Sequence, residues 1–110
     1  RLRPRHVRHA VELIHTTATE NISFNDLVKA SGVSPRSLHA GFRKYYDVSP
    51  MAYVRNVRLD LARIELKQKS SAATTVTEVA MGCGFTHLSR FASCYKERFG
   101  ELPSETLRNA

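Results

Sequence analysis

Apolar residues recur at intervals of three or four along the chain, the spacing of one face of an α-helix. Phe91, Tyr95 and Phe99 mark such a face near the carboxyl end, and Gly100 is a typical residue to end that helix. Another predicted helix follows Pro4, and its apolar face contains Val7, Ala10, Val11, Ile14 and Ala18. The whole pattern predicts an all-α fold of about seven helices.

A short helix, a tight turn and a second helix are predicted between Thr75 and Phe99. Gly84 lies in the turn, where a positive φ is inexpensive for glycine. Thr86 is predicted to cap the second helix with its hydroxyl, and Pro103 to begin a further helix. This order of elements is the helix-turn-helix pattern, whose second helix typically enters the major groove of DNA.

The same pattern occurs in the first half of the chain, so the sequence contains two copies of one module. The matching pairs are Leu27 with Val79, Gly32 with Gly84, Val33 with Phe85, Leu38 with Phe91, Phe42 with Tyr95, Arg43 with Lys96, Tyr46 with Phe99 and Pro50 with Pro103. The offset is constant up to Val33 and increases by one residue from Leu38 onward. The turn between the two helices is therefore one residue longer in the later copy.

Capping residues define the helix ends in the first copy. Ser23 with Asp26 approximates a capping box, and Ser34 followed by Pro35 is a typical helix start. Asp47 stands where the second copy has Gly100. Because Asp adopts the left-handed conformation less readily than Gly, we expect the first copy to end differently.

The longest predicted helix begins at Ser49-Pro50 and runs to about Gln68, bridging the two copies. Its broad apolar surface is expected to include Met51, Tyr53, Val54, Val57, Leu61, Ala62, Ile64 and Leu66. These boundaries predict a first helix-turn-helix subdomain at residues 1–48, a bridging helix at 49–68 and a second helix-turn-helix subdomain at 69–110.

The net charge of +7 on 110 residues favours a polyanionic partner, nucleic acid first and an acidic membrane surface second. No stretch approaches the ~20 apolar residues that a membrane span needs. Cys83 and Cys94 form no CxxC pair, and the histidines have no completing set of metal ligands, so we expect no metal and no cofactor. We interpret the cysteines as small, reduced, partly buried residues.

The second copy resembles the DNA-binding domain of the AraC/XylS family of bacterial transcription regulators. The resemblance is carried by VTEVAMGCGF and then SRFASCYKERFGELPSETLR, whose end looks like the XylS-type branch, and it extends from about Val7 to Arg108. It implies sequence-specific binding to double-stranded DNA in the cytoplasm, with two recognition helices in successive major grooves. It also implies contact with RNA polymerase, usually as an activator.

The resemblance further implies a ligand-sensing or dimerising domain ahead of this one. Because the chain starts at Arg1 without Met, we expect a fragment that is itself monomeric, from a protein that could dimerise through the missing domain.

Each predicted second helix has an outward face of side chains that share one side of the helix. By the resemblance, the base-reading positions are Arg36, His39, Ala40, Leu88, Ser89 and Ser93. Side-chain type predicts that phosphates are held by Ser34, Arg43, Lys44, Thr86, Arg90 and Lys96. Arg36 can make two hydrogen bonds to guanine, the commonest specific contact, so we expect the first copy to supply most of the base discrimination.

Four alternatives remain at this level. These faces could be merely solvated, and the small or apolar residues on them could be packing. The chain could be an enzyme, although no catalytic set of residues stands out. It could be a helical bundle that binds proteins or acidic lipids. It could bind RNA, although the major groove of A-form RNA is too narrow for a helix.

Overall fold

A computed structural model describes residues 3–110. The described residues form seven helices and no strand, which confirms the all-α prediction. The helices are α1 Arg5–Thr17, α2 Phe24–Ser31, α3 Pro35–Tyr46, α4 Pro50–Gln68, α5 Val76–Gly82, α6 Leu88–Phe99 and α7 Pro103–Arg108. The two helix-turn-helix pairs are α2–α3 and α5–α6, as the repeat predicted.

Residue contacts divide the chain into two compact units. The first ends at Val57 and the second is Arg58–Ala110, so the boundary falls inside α4. Each unit has its own apolar core, and α4 contributes residues to both. The three-part division into residues 1–48, 49–68 and 69–110 stays a prediction.

The first unit buries the predicted face of α1 together with one face of α3. Its core consists of Ala10, Ile14, Ala18, Ile22, Leu27, Leu38, Phe42 and Val54. The Phe42 ring of this core packs against the rings of Tyr46 and Tyr53, and the three ring centroids lie 4.8–5.7 Å apart. The Tyr53 hydroxyl lies 2.9 Å from Nε2 of His15 in a hydrogen bond. This packing fixes α3 against α1 and the start of α4.

Both predicted helix starts in the first unit are confirmed. The backbone N–H of Ser23 donates to the Asp26 carboxylate at 2.9 Å, and the Asp26 N–H donates to the Ser23 hydroxyl at 3.1 Å. These hydrogen bonds lower the pKa of Asp26 below its usual value of 3.8. Ser34 accepts from the Ser37 N–H at 3.1 Å, with Pro35 in the first turn of α3. Both caps define where the helices of the first pair begin.

The expectation that the first copy ends differently is wrong. Asp47 adopts the left-handed conformation, with φ 59° and ψ 23°, and its N–H donates to the Arg43 carbonyl. Gly100 does the same at the end of α6, donating to the Lys96 carbonyl. Asp is among the few residues other than glycine that enter this region at moderate cost, because its short polar side chain can hydrogen-bond locally. The two modules therefore end alike.

In the second unit, the buried face of α4 differs from the apolar surface predicted for this helix. The core of this unit consists of Leu59, Ala62, Leu66, Val79, Ala80, Cys83, Phe91, Tyr95 and Leu107. Leu61 and Ile64 are exposed instead, at 37% and 51%. Residues 59, 62 and 66 recur at helical spacing and occupy the buried face, which leaves residues 61 and 64 on the opposite side.

The predicted cap at Thr86 is also wrong. The N-cap of α6 is His87, and it makes no side-chain capping hydrogen bond. Because the turn between the two helices is one residue longer in this copy, α6 begins at Leu88 and Thr86 lies one residue outside the cap position. The hydroxyl of Thr86 is thus exposed beside the helix start.

Polar contacts hold α6 within the second unit. The buried Tyr95 hydroxyl donates to Thr106 Oγ1 at 2.8 Å, and Thr106 donates to the Glu101 carboxylate, which ties α6 to α7. Arg98 makes two hydrogen bonds to Asp60, at 2.9 and 3.1 Å, which tie α6 to α4. The orientation of α6 within its unit therefore depends on polar contacts as well as on the core.

Cys83 belongs to the core of the second unit. Burial and the nearby Glu65 carboxylate raise the pKa of its thiol to about 11. The thiol therefore stays protonated at neutral pH and behaves as a small apolar side chain.

Candidate nucleic-acid interface

Helix α3 has one buried face and one exposed face. Leu38 and Phe42 are fully buried, and Gly32, at φ 72°, makes the turn that leads from α2 towards α3. The four residues predicted on the outward face, Arg36, His39, Ala40 and Arg43, are all exposed. Their spacing of three, four and seven places them on one side of the helix, which is the shape that a groove-reading helix requires.

The exposed side of α3 carries uncompensated positive charge. No acidic residue lies within Pro35–Tyr46. Among residues 3–110, Arg36, Arg43 and Lys44 take part in none of the ion pairs. The Lys44 ammonium lies over the ring of Tyr45, 5.4 Å from its centroid. These side chains can therefore form hydrogen bonds with a polyanion without first breaking an ion pair.

Helix α6 repeats this arrangement with smaller and less charged side chains. Phe91 and Tyr95 are buried. Five candidate residues, Leu88, Ser89, Arg90, Ser93 and Lys96, are exposed. The Ser93 hydroxyl donates to the Ser89 carbonyl at 3.1 Å, so in this conformation it offers a partner only its lone pairs. The exposed Leu88 side chain suits an apolar contact such as a thymine methyl group.

One contact on the α3 face was not predicted from the sequence. The Phe24 ring at the start of α2 packs on the His39 imidazole, with centroids 5.1 Å apart and planes tilted by 49°. The two residues are fifteen positions apart and belong to different helices. An aromatic residue at the first position of α2 is the one sequence signal that could have indicated it.

The two hydroxyl residues at the helix starts occupy different positions. Ser34 caps α3, and its hydroxyl also donates to the Ser37 hydroxyl at 3.1 Å. Thr86 precedes the cap of α6 and makes no capping bond. All twelve predicted site residues are exposed. Six of them lie on or next to α3 in the first unit, and the other six lie on or next to α6 in the second unit. Their assignment to bases or phosphates stays a prediction.

Within residues 3–110, no group of three or more His, Cys, Asp or Glu side chains is arranged to hold a metal ion. In the same part of the chain, every helix is too short or too polar to cross a membrane.

Two helix pairs, each with an exposed second helix on a buried support, define a helix-turn-helix DNA-binding domain. The family model described as "Helix-turn-helix domain" matches residues 27–109. The crystal structure of a probable AraC family transcriptional regulator from Rhodopseudomonas palustris CGA009 has a TM-score of 0.89 and 37% identity, and the match covers 97% of this chain and 98% of that one. The chain belongs to the AraC/XylS family of transcription regulators.

Curated relatives agree with this family. "XylDLEGF operon transcriptional activator 2" from Pseudomonas putida is 41% identical over 97 residues, which cover 88% of this chain and 62% of the relative. "XylDLEGF operon transcriptional activator", from the same organism, is 42% identical over 98 residues, which cover 89% of this chain and 30% of the relative. The chain thus spans less than two thirds of either relative, and both are named as operon transcriptional activators.

Proposed function

We propose that this chain binds double-stranded DNA sequence-specifically for a bacterial transcription regulator. In this proposal α3 and α6 are the recognition helices and enter successive major grooves, which lie about 34 Å apart on B-form DNA. The observation that carries it is the exposed face of α3, where Arg36, His39, Ala40 and Arg43 stand opposite a fully buried face. A recognition helix needs this combination of a rigid support and free hydrogen-bond donors.

The proposed roles follow the chemistry of each side chain. Arg36 and His39 donate to guanine, Ala40 and Leu88 contact thymine methyl groups, and Ser89 and Ser93 adapt to the base that they meet. Phosphates are held by six residues, Ser34, Arg43, Lys44, Thr86, Arg90 and Lys96. Phosphate contacts fix the register of the protein on the duplex but do not by themselves distinguish sequences.

The two units are proposed to contribute unequally. Residues 3–57 contain eight Lys or Arg and four Asp or Glu, whereas residues 58–110 contain eight and six. Three ion pairs lie within the second unit: Arg63–Glu101, Lys69–Glu65 and Arg98–Asp60. The first unit therefore has more positive charge available for phosphates as well as the stronger base donor. We propose that it supplies most of the affinity and discrimination, while the second unit adds orientation.

The wider role is proposed from the relatives, two of which are named as operon transcriptional activators. We propose activation through contact with RNA polymerase in the cytoplasm, and no catalytic role. We also propose that this chain alone is monomeric and that dimerisation, where it occurs, uses a further domain.

Competition between polyanions tests the proposed partner. A labelled DNA duplex carrying a site selected from random sequences should be released by unlabelled duplex of the same sequence. An RNA duplex of that sequence and vesicles of anionic lipid should release it far less, since neither offers a B-form major groove. Equal release by RNA or by vesicles would show that charge alone drives binding and would contradict sequence-specific recognition.

Lys96 gives a prediction on phosphate contact. Lys96→Ala should weaken binding to selected and unrelated duplexes by a similar factor and reduce the slope of log affinity against log salt by about 0.9. Titrations at several salt concentrations measure both. Lys67→Ala, which removes an exposed cation near the end of α4, is the matched control and should leave the slope nearly unchanged. A loss confined to the selected site would place Lys96 among the base readers.

A further inference from the structure

The first residue of α2 contacts a side chain on the exposed face of α3, the face that is proposed to read bases. Phe24 is the first residue of α2 and follows the capping residue Ser23, whose reciprocal bonds with Asp26 fix this turn. Its ring is partly buried against the core of the first unit and also contacts the imidazole of His39. His39 is exposed. Phe24 thus links the rigid interior of the unit to a proposed base-reading side chain.

We propose that Phe24 is a positioning residue for DNA recognition, which holds the His39 imidazole in the orientation that donates to one base pair. This proposal rests on the proposed function, because it assigns a role to a residue of the same interface. Phe24 itself need not touch DNA in this scheme. Its effect on binding passes through His39.

The physical argument is preorganisation. An exposed side chain on a helix populates several rotamers, and binding that requires only one of them must offset the lost freedom. The contact between the two rings, whose centroids lie 5.1 Å apart, restricts the imidazole before DNA binds. A histidine N–H that already points in the required direction discriminates better between bases, because a base without the matching acceptor leaves that donor unpaired.

The second unit has no counterpart to this contact. Helix α5 begins with Val76 where α2 begins with Phe24, and Ala92 occupies the position in α6 that His39 occupies in α3. Neither side chain has a ring. This ring contact therefore occurs in the first unit and not in the second, in agreement with the greater share of base discrimination proposed for α3.

Base preference at single positions tests the proposal. Affinities of the 110-residue chain are measured on the selected duplex and on duplexes that each carry one altered base pair. His39→Ala should lower the preference at one base pair by about threefold to tenfold. Phe24→Leu, which keeps an apolar side chain but no ring, should lower the preference at that same pair by a similar or smaller factor. Phe24→Tyr retains the ring and should preserve the preference.

The double variant and a matched control separate positioning from packing. If Phe24 acts through His39, the variant with both Phe24→Leu and His39→Ala should show no greater loss at that pair than His39→Ala alone. Val76→Ala, which shortens the corresponding side chain of α5, should leave the preference at that pair unchanged. Thermal unfolding of each variant records any loss of stability separately.

The possible results are distinguishable. If Phe24→Leu weakens binding equally on every duplex, or if its effect adds to that of His39→Ala, then Phe24 is a packing residue and the positioning role is overturned. A His39→Ala variant with unchanged base preference would also overturn it, while DNA recognition by Arg36 could still stand. If the unsubstituted chain selects no duplex, both the proposed function and this inference fail.

Discussion

Replacing Arg36 with alanine is expected to weaken binding to a selected duplex by about 1–3 kcal/mol, roughly fivefold to 150-fold. The guanidinium is exposed on α3, and no ion pair among the described residues engages it. It can therefore form two hydrogen bonds to the O6 and N7 atoms of a guanine, as arginine does in the commonest specific contact. Loss of both bonds should also relax the preference at one base pair. Titration of duplexes altered at single positions measures both effects.

Two variants control for the loss of positive charge. Arg55→Ala removes an exposed cation from α4 in the same unit and should cost much less, with no change in base preference. Arg36→Lys keeps the charge but loses the paired donors, so it should recover part of the affinity and little of the specificity. If Arg36→Ala leaves binding to the selected site unchanged, Arg36 reads no base and its assignment is wrong.

Gly41→Ala is expected to destabilise the first unit by about 1–3 kcal/mol, although alanine is the better helix former. Gly41 is buried in α3 where the first turn of α1 crosses it. A Cβ atom there would lie 2.7 Å from Cγ2 of Val7 and 2.9 Å from Nε2 of His6. Val7 is fully buried and cannot move without disturbing the core, so the overlap must shift α1 against α3. Chemical denaturation of the two proteins measures the difference.

Gly82→Ala is the matched control. Gly82 ends α5, and a Cβ built there meets no atom within 4 Å. The same substitution should be neutral there or stabilise by up to about 1 kcal/mol, because only helix propensity and chain entropy change. If Gly41→Ala also stabilised the protein, α1 would have to shift away from α3 at little cost. That result would contradict the claim that close packing between α1 and α3 supports the recognition helix.

Local sequence signals were sufficient to predict the order of the helices. The repeated residues, the capping residues Ser23 and Ser34, and the glycines Gly32 and Gly100 act within a few positions of the structure that they determine. The structure confirms each of these signals. The one-residue change of offset was also visible in the sequence, but its consequence for Thr86 was missed, because a longer turn moves the cap to His87.

Predictions that needed three-dimensional contacts were less complete. Apolar type alone included Leu61 and Ile64 in the predicted apolar surface of α4. The rest of the unit packs on one side of α4, so Leu59 is buried there while Leu61 and Ile64 are exposed. Asp47 takes a conformation that residue preference disfavours. Its N–H still donates to the Arg43 carbonyl, which closes the helix end as glycine would.

The contacts that position the candidate site could not be predicted, since they join residues that are distant in the sequence. Asp60 meets Arg98 across 38 positions, and Phe24 meets His39 between two helices. Residue type shows that each of these side chains can form such a contact. Only the packed unit determines which partner it meets. The exposed and buried faces of α3 and α6 were predicted, whereas these side-chain contacts between distant residues were not.

The most direct test of two-helix recognition is the selection of bound sites from random DNA duplexes. If α3 and α6 both read bases in successive major grooves, the selected sites should contain two preferred blocks with centres about 10–10.5 base pairs apart. Arg36→Ala should relax one block and leave the other intact. A single block, or no enrichment over the starting pool, would contradict recognition by two helices.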